Sequence, residues 1–283
     1  MSIVDLFGKP LKQASVISPC TLLIFEKIIS LGRKIRVGIV SYRNTLPLAY
    51  GLQSDIISHE IDLIQETPAV LADMLIEEKI DLGLIPVAAI LDLKEYHIVG
   101  DYCIGTETEV ATVCLFSEVP LHEIKKVFLD YQSRTSVALL KWLMHDYWDI
   151  HPELIQATDD TYRKEIRDTT AGLVIGDRAF EQRKISTFIY DLASEWRSIT
   201  GLPFVFAAWI SNKPLPKDFV DRFNQANAIG LKHIPEIVTS QQFDLFDLNK
   251  YYNLHLSYKL DEKKKKGLAL FLQLLQEFSL KEQ

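Results

Sequence analysis

The chain has 283 residues, 48% of them hydrophobic and 24% charged, which is ordinary globular usage and enough to bury a sizeable core in one or two domains. Lys and Arg number 31 against 38 Asp and Glu, a formal charge of −7. That balance excludes a general nucleic-acid binder, whose affinity rests on clustered cations, and an anionic small molecule would need a local exception to the field.

Residues 14–31 come nearest to an apolar spanning segment, but Pro19, Glu26 and Lys27 interrupt them. They also lack a basic region ahead and a clear cleavage site behind, so no export signal and no membrane insertion are expected. Cys20, Cys103 and Cys114 have no metal-ligand spacing, and their odd number leaves at least one free thiol, as in a reducing, cytoplasmic compartment. The seven histidines form no HExxH and no Cys/His cluster.

Along the chain, hydrophobic period predicts strands at 35–40, 61–65 and 80–87, with helices from Pro47 and over 69–78 between them. After Thr112 the pattern restarts: strands at 126–130 and 171–175 flank a helix over 135–145, and the apolar run 202–210 carries the chain back. Helices at 217–233 and 264–278 follow, the latter holding a lysine run at 263–266 that reads as a solvated face. The expected fold class is α/β with mainly parallel sheets, in two lobes facing a ligand cleft. The expected limits are a 1–33 extension of unknown role, a discontinuous lobe 1 of 34–116 plus 208–283, and an inserted lobe 2 of 117–207.

Two strand-to-helix turns carry most of the candidate chemistry. Ser41-Tyr42-Arg43-Asn44-Thr45 follows the first strand and meets Pro47 at a helix start, delivering hydroxyls, an amide and free N–H groups to one place. Asp130-Tyr131-Gln132-Ser133-Arg134-Thr135-Ser136 repeats the arrangement in the second lobe, where the helix dipole favours an anion; taken alone, Ser133 or Thr135 is equally an ordinary N-cap. Arg134 could contact a carboxylate or form a structural ion pair. Thr112 could place a hydroxyl in the cleft or be buried packing. Asp177, just past a strand end, could meet ligand or cap a turn. Trp196 and Phe204 could wall an aromatic ring, although core packing is the safer reading. GxGxxG, Walker and GxSxG motifs are absent, so the chemistry is expected to need neither a cofactor nor a nucleophile.

Five segments in order, Val37-Gly38-Ile39-Val40-Ser41-Tyr42-Arg43-Asn44-Thr45-Leu46-Pro47-Leu48, Asp81-Leu82-Gly83-Leu84-Ile85-Pro86-Val87, Ser133-Arg134-Thr135-Ser136-Val137-Ala138-Leu139-Leu140, Ile175-Gly176-Asp177 and Thr200-Gly201-Leu202-Pro203-Phe204-Val205-Phe206, resemble the chorismate dehydratase family of the futalosine route to menaquinone. The resemblance runs from about Lys34 to about Ala208; Arg43 stands where an apolar residue is expected, and Thr112 where Ser is. It implies a periplasmic-binding-protein-like (type 2) fold and cofactor-independent conversion of chorismate to 3-[(1-carboxyvinyl)oxy]benzoate and water. In that setting Asn44 would serve catalysis, and Ser41, Tyr42, Thr112, Ser133, Arg134, Thr135, Ser136 and Asp177 would bind substrate, with no metal. A small molecule is the expected partner; a homodimer is compatible with the reading. The alternatives are the 1,4-dihydroxy-6-naphthoate synthase of the same pathway, whose opening motif differs, and a non-catalytic small-anion solute-binding protein, which needs export or lipid anchoring.

Overall fold

The structure, a computed structural model, describes residues 33–281, so Cys20 and, apart from Arg33, the expected extension at 1–33 lie outside the described residues. Apolar runs give parallel strands β1 (Ile35–Val40), β2 (Ile61–Glu66) and β3 (Leu82–Pro86), with β1 in the middle. β1 and β3 are buried almost throughout, as parallel strands covered on both faces must be. Helices α1 (Leu46–Leu52) and α2 (Pro68–Ile76) connect them, each with proline in its first turn, where the missing N–H leaves no bond unmade. Asp81 ties this unit at its base, accepting from the backbone N and Nε of Arg36 at 2.9 and 3.0 Å. Burial works against its charge, but the bonds to Arg36 prevail and hold its carboxyl below the usual range.

After β4 (His97–Thr106) the chain crosses through residues 107–112 into a second unit. There β5 (Val113–Ser117), β6 (Lys126–Leu129), β7 (Glu153–Gln156), β8 (Thr170–Ile175) and β9 (Phe188–Asp191) form a sheet of order β7-β6-β8-β5-β9. Helices α3 (Thr135–Trp142), α4 (Arg178–Gln182) and α5 (Leu192–Thr200) accompany it. The chain returns into β10 (Phe204–Ser211) and continues through α6 (Lys217–Lys232), α7 (Ile234–Ser240), α8 (Leu248–Lys250), β11 (Ser257–Lys259) and α9 (Glu262–Lys281). These complete the first sheet, of order β11-β4-β10-β3-β1-β2.

Neither sheet is mainly parallel. β10 pairs antiparallel with β3 and β4, and β5 antiparallel with β8 and β9. The reason is topological: a strand entering a lobe through the crossing starts where its neighbours end. The expected lobe limits are corrected accordingly. β5 bonds into the second sheet rather than closing the first, and all of β10, which the limit at 207/208 divides, belongs to the first. Both runs are uniformly apolar, so composition does not say to which sheet either belongs.

The first crossing is held rigidly. Ala111 adopts a left-handed backbone, φ 65°, without being glycine. Its N–H and that of Val110 donate to Asp191 at 2.7 and 3.1 Å, and the same carboxylate caps α5 through the N–H groups of Ala193 and Ser194. Burial raises the Asp191 carboxyl while these donors oppose the rise. Lys264 is a second correction: it is 1% exposed and reaches Glu107 in the crossing, while only the other three lysines of its run face solvent. Trp196 and Phe204 pack edge to face at 5.3 Å, with Phe271 4.9 Å from Phe204, and belong to the core.

Candidate active site

The carboxyl ends of β1, β3 and β8 meet at one cleft between the two sheets, where ligands of open α/β folds bind. Beyond β1 a 3-10 turn, Arg43–Thr45, leads into α1. The Thr45 hydroxyl folds this turn back on the strand, within 2.5 Å of the Val40 carbonyl and 2.7 Å of that of Tyr42. Tyr42 and Asn44 thereby face the cleft, together with Val110 and Thr112 from the crossing, Ser133, Thr135 and Ser136 around the start of α3, Ile175, Gly176 and Phe206. About 530 Å³ of space unfilled by protein atoms, open solvent included, lies here. Among the described residues the lining has no charged side chain.

Each polar residue of the lining has a distinct state. The Asn44 amide oxygen is buried without a hydrogen-bond partner, whereas the carbonyl of the same residue accepts from the Tyr258 hydroxyl at 2.8 Å. Its main chain is thus fixed, while its amide oxygen accepts from no protein group and is left for water or a ligand. Tyr42 donates its hydroxyl to Gln132 Oε1 across the cleft and lays its ring on Gly176. A Cβ at Gly176 would lie 2.8 Å from that ring, and φ there is +65°, so both space and backbone require glycine. Burial, against the pull of Arg178, keeps the Tyr42 hydroxyl protonated well above its ordinary range.

The Thr112 hydroxyl lies 2.9 Å from the hydroxyl of Tyr251, and its carbonyl accepts from Gly176 N–H at 2.9 Å. Ser133 Oγ accepts from Ser136 N–H at 3.0 Å and so satisfies one donor of the first turn of α3, whose N-cap position is held by Arg134. Thr135 Oγ1 accepts from Ala88 N–H at 3.1 Å and so joins the lobes. Under this rim Asp130, buried, accepts from Arg178 at 2.8 and 3.0 Å, from Tyr162 at 2.9 Å and from Gln132 N–H at 2.8 Å. That network sets the place of Gln132 opposite Tyr42.

Three expected binding residues stand off the lining. Ser41, the first residue past β1, is exposed. Arg134 gives its guanidinium to Asp92 at 2.9 Å and to Asp73. Asp177 accepts the Arg43 N–H at 3.1 Å and lies 3.7 Å from Arg43 Nε. Arg43, unexpected where an apolar residue should stand, is anchored on its own lobe by Gln241 at 2.7 Å and by the Phe243 ring at 4.2 Å. Sequence reasoning missed Gln132, Phe206 and the tyrosines 251, 252 and 258; only the enrichment of tyrosine near 251 could have pointed to the last three.

Comparison with known proteins places this geometry. The profile of a family described as menaquinone biosynthesis matches residues 35–277, both lobes included. The chain belongs to that family. Among its relatives, a chorismate dehydratase of Thermus thermophilus is 27% identical over 84% of this chain and 94% of the relative. Solved structures share the fold at low identity. Protein AF1704 of Archaeoglobus fulgidus, at 16% identity, superposes with a TM-score of 0.66 over 87% of this chain and 98% of its own. The aliphatic sulphonate binding protein SsuA of Escherichia coli, also at 16%, gives 0.59 over 87% and 88%. This member of the family therefore has a periplasmic-binding-protein-like fold, its candidate site lying in the interlobe cleft. No helix among the described residues is long and apolar enough to cross a membrane.

Proposed function

We propose that this member of the menaquinone biosynthesis family is a chorismate dehydratase, removing water from chorismate to give 3-[(1-carboxyvinyl)oxy]benzoate. The carrying observation is the unpartnered Asn44 amide oxygen in an uncharged, hydroxyl-rich cleft; the relative from Thermus thermophilus supports the choice of substrate. Chorismate needs little from an enzyme in the way of ionisable groups. Its C3 proton is acidified by vinylogous conjugation with the ring carboxylate, and departure of the C4 hydroxyl leaves an aromatic ring, which drives the reaction.

The protein's tasks are positioning and oriented dipoles. Asn44 hydrogen-bonds the reacting part of the substrate and assists the leaving hydroxyl. Ser133, Thr135 and Ser136, with the N-terminus of α3, take one carboxylate; Tyr42 and Thr112 orient the other end. The lining supplies no charged base, so the enolpyruvyl carboxylate of the substrate itself accepts the C3 proton. Holding the enolpyruvyl arm this way also suppresses the competing pericyclic rearrangement.

The test is incubation of purified protein with chorismate, products being separated by chromatography and weighed by mass spectrometry. The dehydrated carboxyvinyloxybenzoate is expected from the wild type. Asn44→Ala is expected to lower kcat by roughly 100-fold or more, the scale for losing one oriented dipole at a reacting centre. Binding without turnover would overturn the dehydratase reading in favour of a solute-binding or sensing role. Unchanged turnover in a folded Asn44→Ala protein would remove the amide from the mechanism.

A further inference from the structure

The C-terminal segment carries Tyr251, Tyr252 and Tyr258, which are 1%, 2% and 6% exposed. None lines the cleft, yet each hydroxyl is spent on a segment that does. Tyr251 meets the Thr112 hydroxyl at 2.9 Å, Tyr252 donates to the Arg43 carbonyl at 3.0 Å, and Tyr258 donates to the Asn44 carbonyl at 2.8 Å. Tyr251 and Tyr252 open a π-helical turn, Tyr251–His255, an irregularity that recurs at functional sites.

The two carbonyls held by Tyr252 and Tyr258 belong to the peptide planes on either side of one Cα, that of Asn44. Because each peptide unit is planar, fixing both planes fixes φ and ψ at residue 44 and therefore the direction of its Cα–Cβ bond. Nothing else fixes the amide oxygen, which has no partner of its own. We propose that Tyr252 and Tyr258 are positioning residues that aim the Asn44 side chain into the cleft from more than 200 residues away in sequence. Their effect on rate rests on the function proposed above; their effect on the amide does not. Burial keeps both hydroxyls protonated, so each has the proton that it donates to its carbonyl.

The experiment reads both. In the full chain labelled with ¹⁵N, the side-chain amide pair of Asn44 is identified by its loss from the spectrum of Asn44→Asp. It is expected to shift or broaden in Tyr258→Phe and in Tyr252→Phe, with thermal unfolding confirming that each variant is folded; an unmoved pair in both overturns the proposal. With chorismate, Tyr258→Phe is expected to lower kcat about 5- to 10-fold, the worth of one neutral hydrogen bond, with KM changed less than about twofold. In the Asn44→Ala background the same change is expected to add no further loss, since it acts through the deleted amide. A loss that multiplies in both backgrounds overturns the assignment. If the wild type leaves chorismate intact, the functional reading fails and the amide resonance alone decides the positioning.

Discussion

Asn44 is surrounded by residues that do not titrate near neutrality, and this has a measurable consequence. The lining contains hydroxyls, an amide and apolar groups, and its Tyr42 is held protonated far above its ordinary range by burial. No protein group in contact with substrate should therefore change charge between about pH 5 and 9. The expected kcat/KM for chorismate is flat over that interval, measured at constant ionic strength, and a limb with an apparent pKa of about 6 to 7 would expose a protein base that this site lacks. The residues behind this expectation were legible because each sits at a strand end or a helix start, where local sequence dictates both backbone and direction: Tyr42, Asn44, Ser133, Thr135 and Ser136. Thr112 was legible from its place at the crossing. Arg134 and Asp177 were legible as polar residues at the rim but not in their use, since their partners Asp73, Asp92 and Arg43 lie 42 or more positions away and are a choice of the tertiary fold. The tyrosines behind Asn44 left only their clustering near 251 as a signal, which does not say what they touch.

At the scale of elements, the seat of α1 matters most, because this helix starts two residues after Asn44. α1 and α6 touch backbone to backbone. A Cβ on Gly230 would come within 1.7 Å of the Pro47 carbonyl oxygen, and one on Gly51 within 1.9 Å of that of Ala226. Neither obstacle is a flexible side chain that could turn aside, so Gly230→Ala must displace α1 and the turn ahead of it. The expected cost is about 2–3 kcal/mol of stability, typical of overpacking a rigid contact, seen as a lowered midpoint in chemical denaturation. A Gly230→Ala protein as stable and as active as wild type would show that α1 is free to shift without consequence. Strands such as β1, β3 and β8 could be read from their apolar runs, as could the long helix α6. The ten-residue β4 could not, because Gly100, Asp101 and Gly105 break its alternation, although it is the strand that feeds the first crossing. The expectation of mainly parallel sheets failed for a related reason: a crossing strand carries no mark of its direction.

At the scale of the whole molecule, the two lobes are fastened at the cleft rim by ion pairs whose members come from opposite lobes. Arg43 of the first lobe faces Asp177 of the second, and Arg134 of the second grips Asp73 and Asp92 of the first. Each fastening is one residue from the lining: Arg43 adjoins Tyr42 and Asn44, Arg134 lies between Ser133 and Thr135, and Asp177 follows Gly176. Parting the lobes at either place therefore parts the site. The Arg134 side chain is 32% exposed and its partners are 56% and 57% exposed, so each contact contributes only about 0–1 kcal/mol and is screened by salt. Contacts of that size are suited to holding a closure that must release product, since about 1.4 kcal/mol changes the closed-to-open ratio tenfold. Arg134→Ala is accordingly expected to enlarge the radius of gyration of the ligand-free protein in solution X-ray scattering at low salt. Raising the salt to about 0.5 M should enlarge the wild type in the same direction while moving the variant less. Saturating chorismate should bring both back towards one compact value, with a higher KM for the variant. Superimposable scattering from both proteins at low and high salt would mean that the arginine holds nothing closed, and that the lobes are joined by contacts such as Tyr42–Gln132, Ala88–Thr135, Arg43 N–H to Asp177 and Phe180–Tyr251.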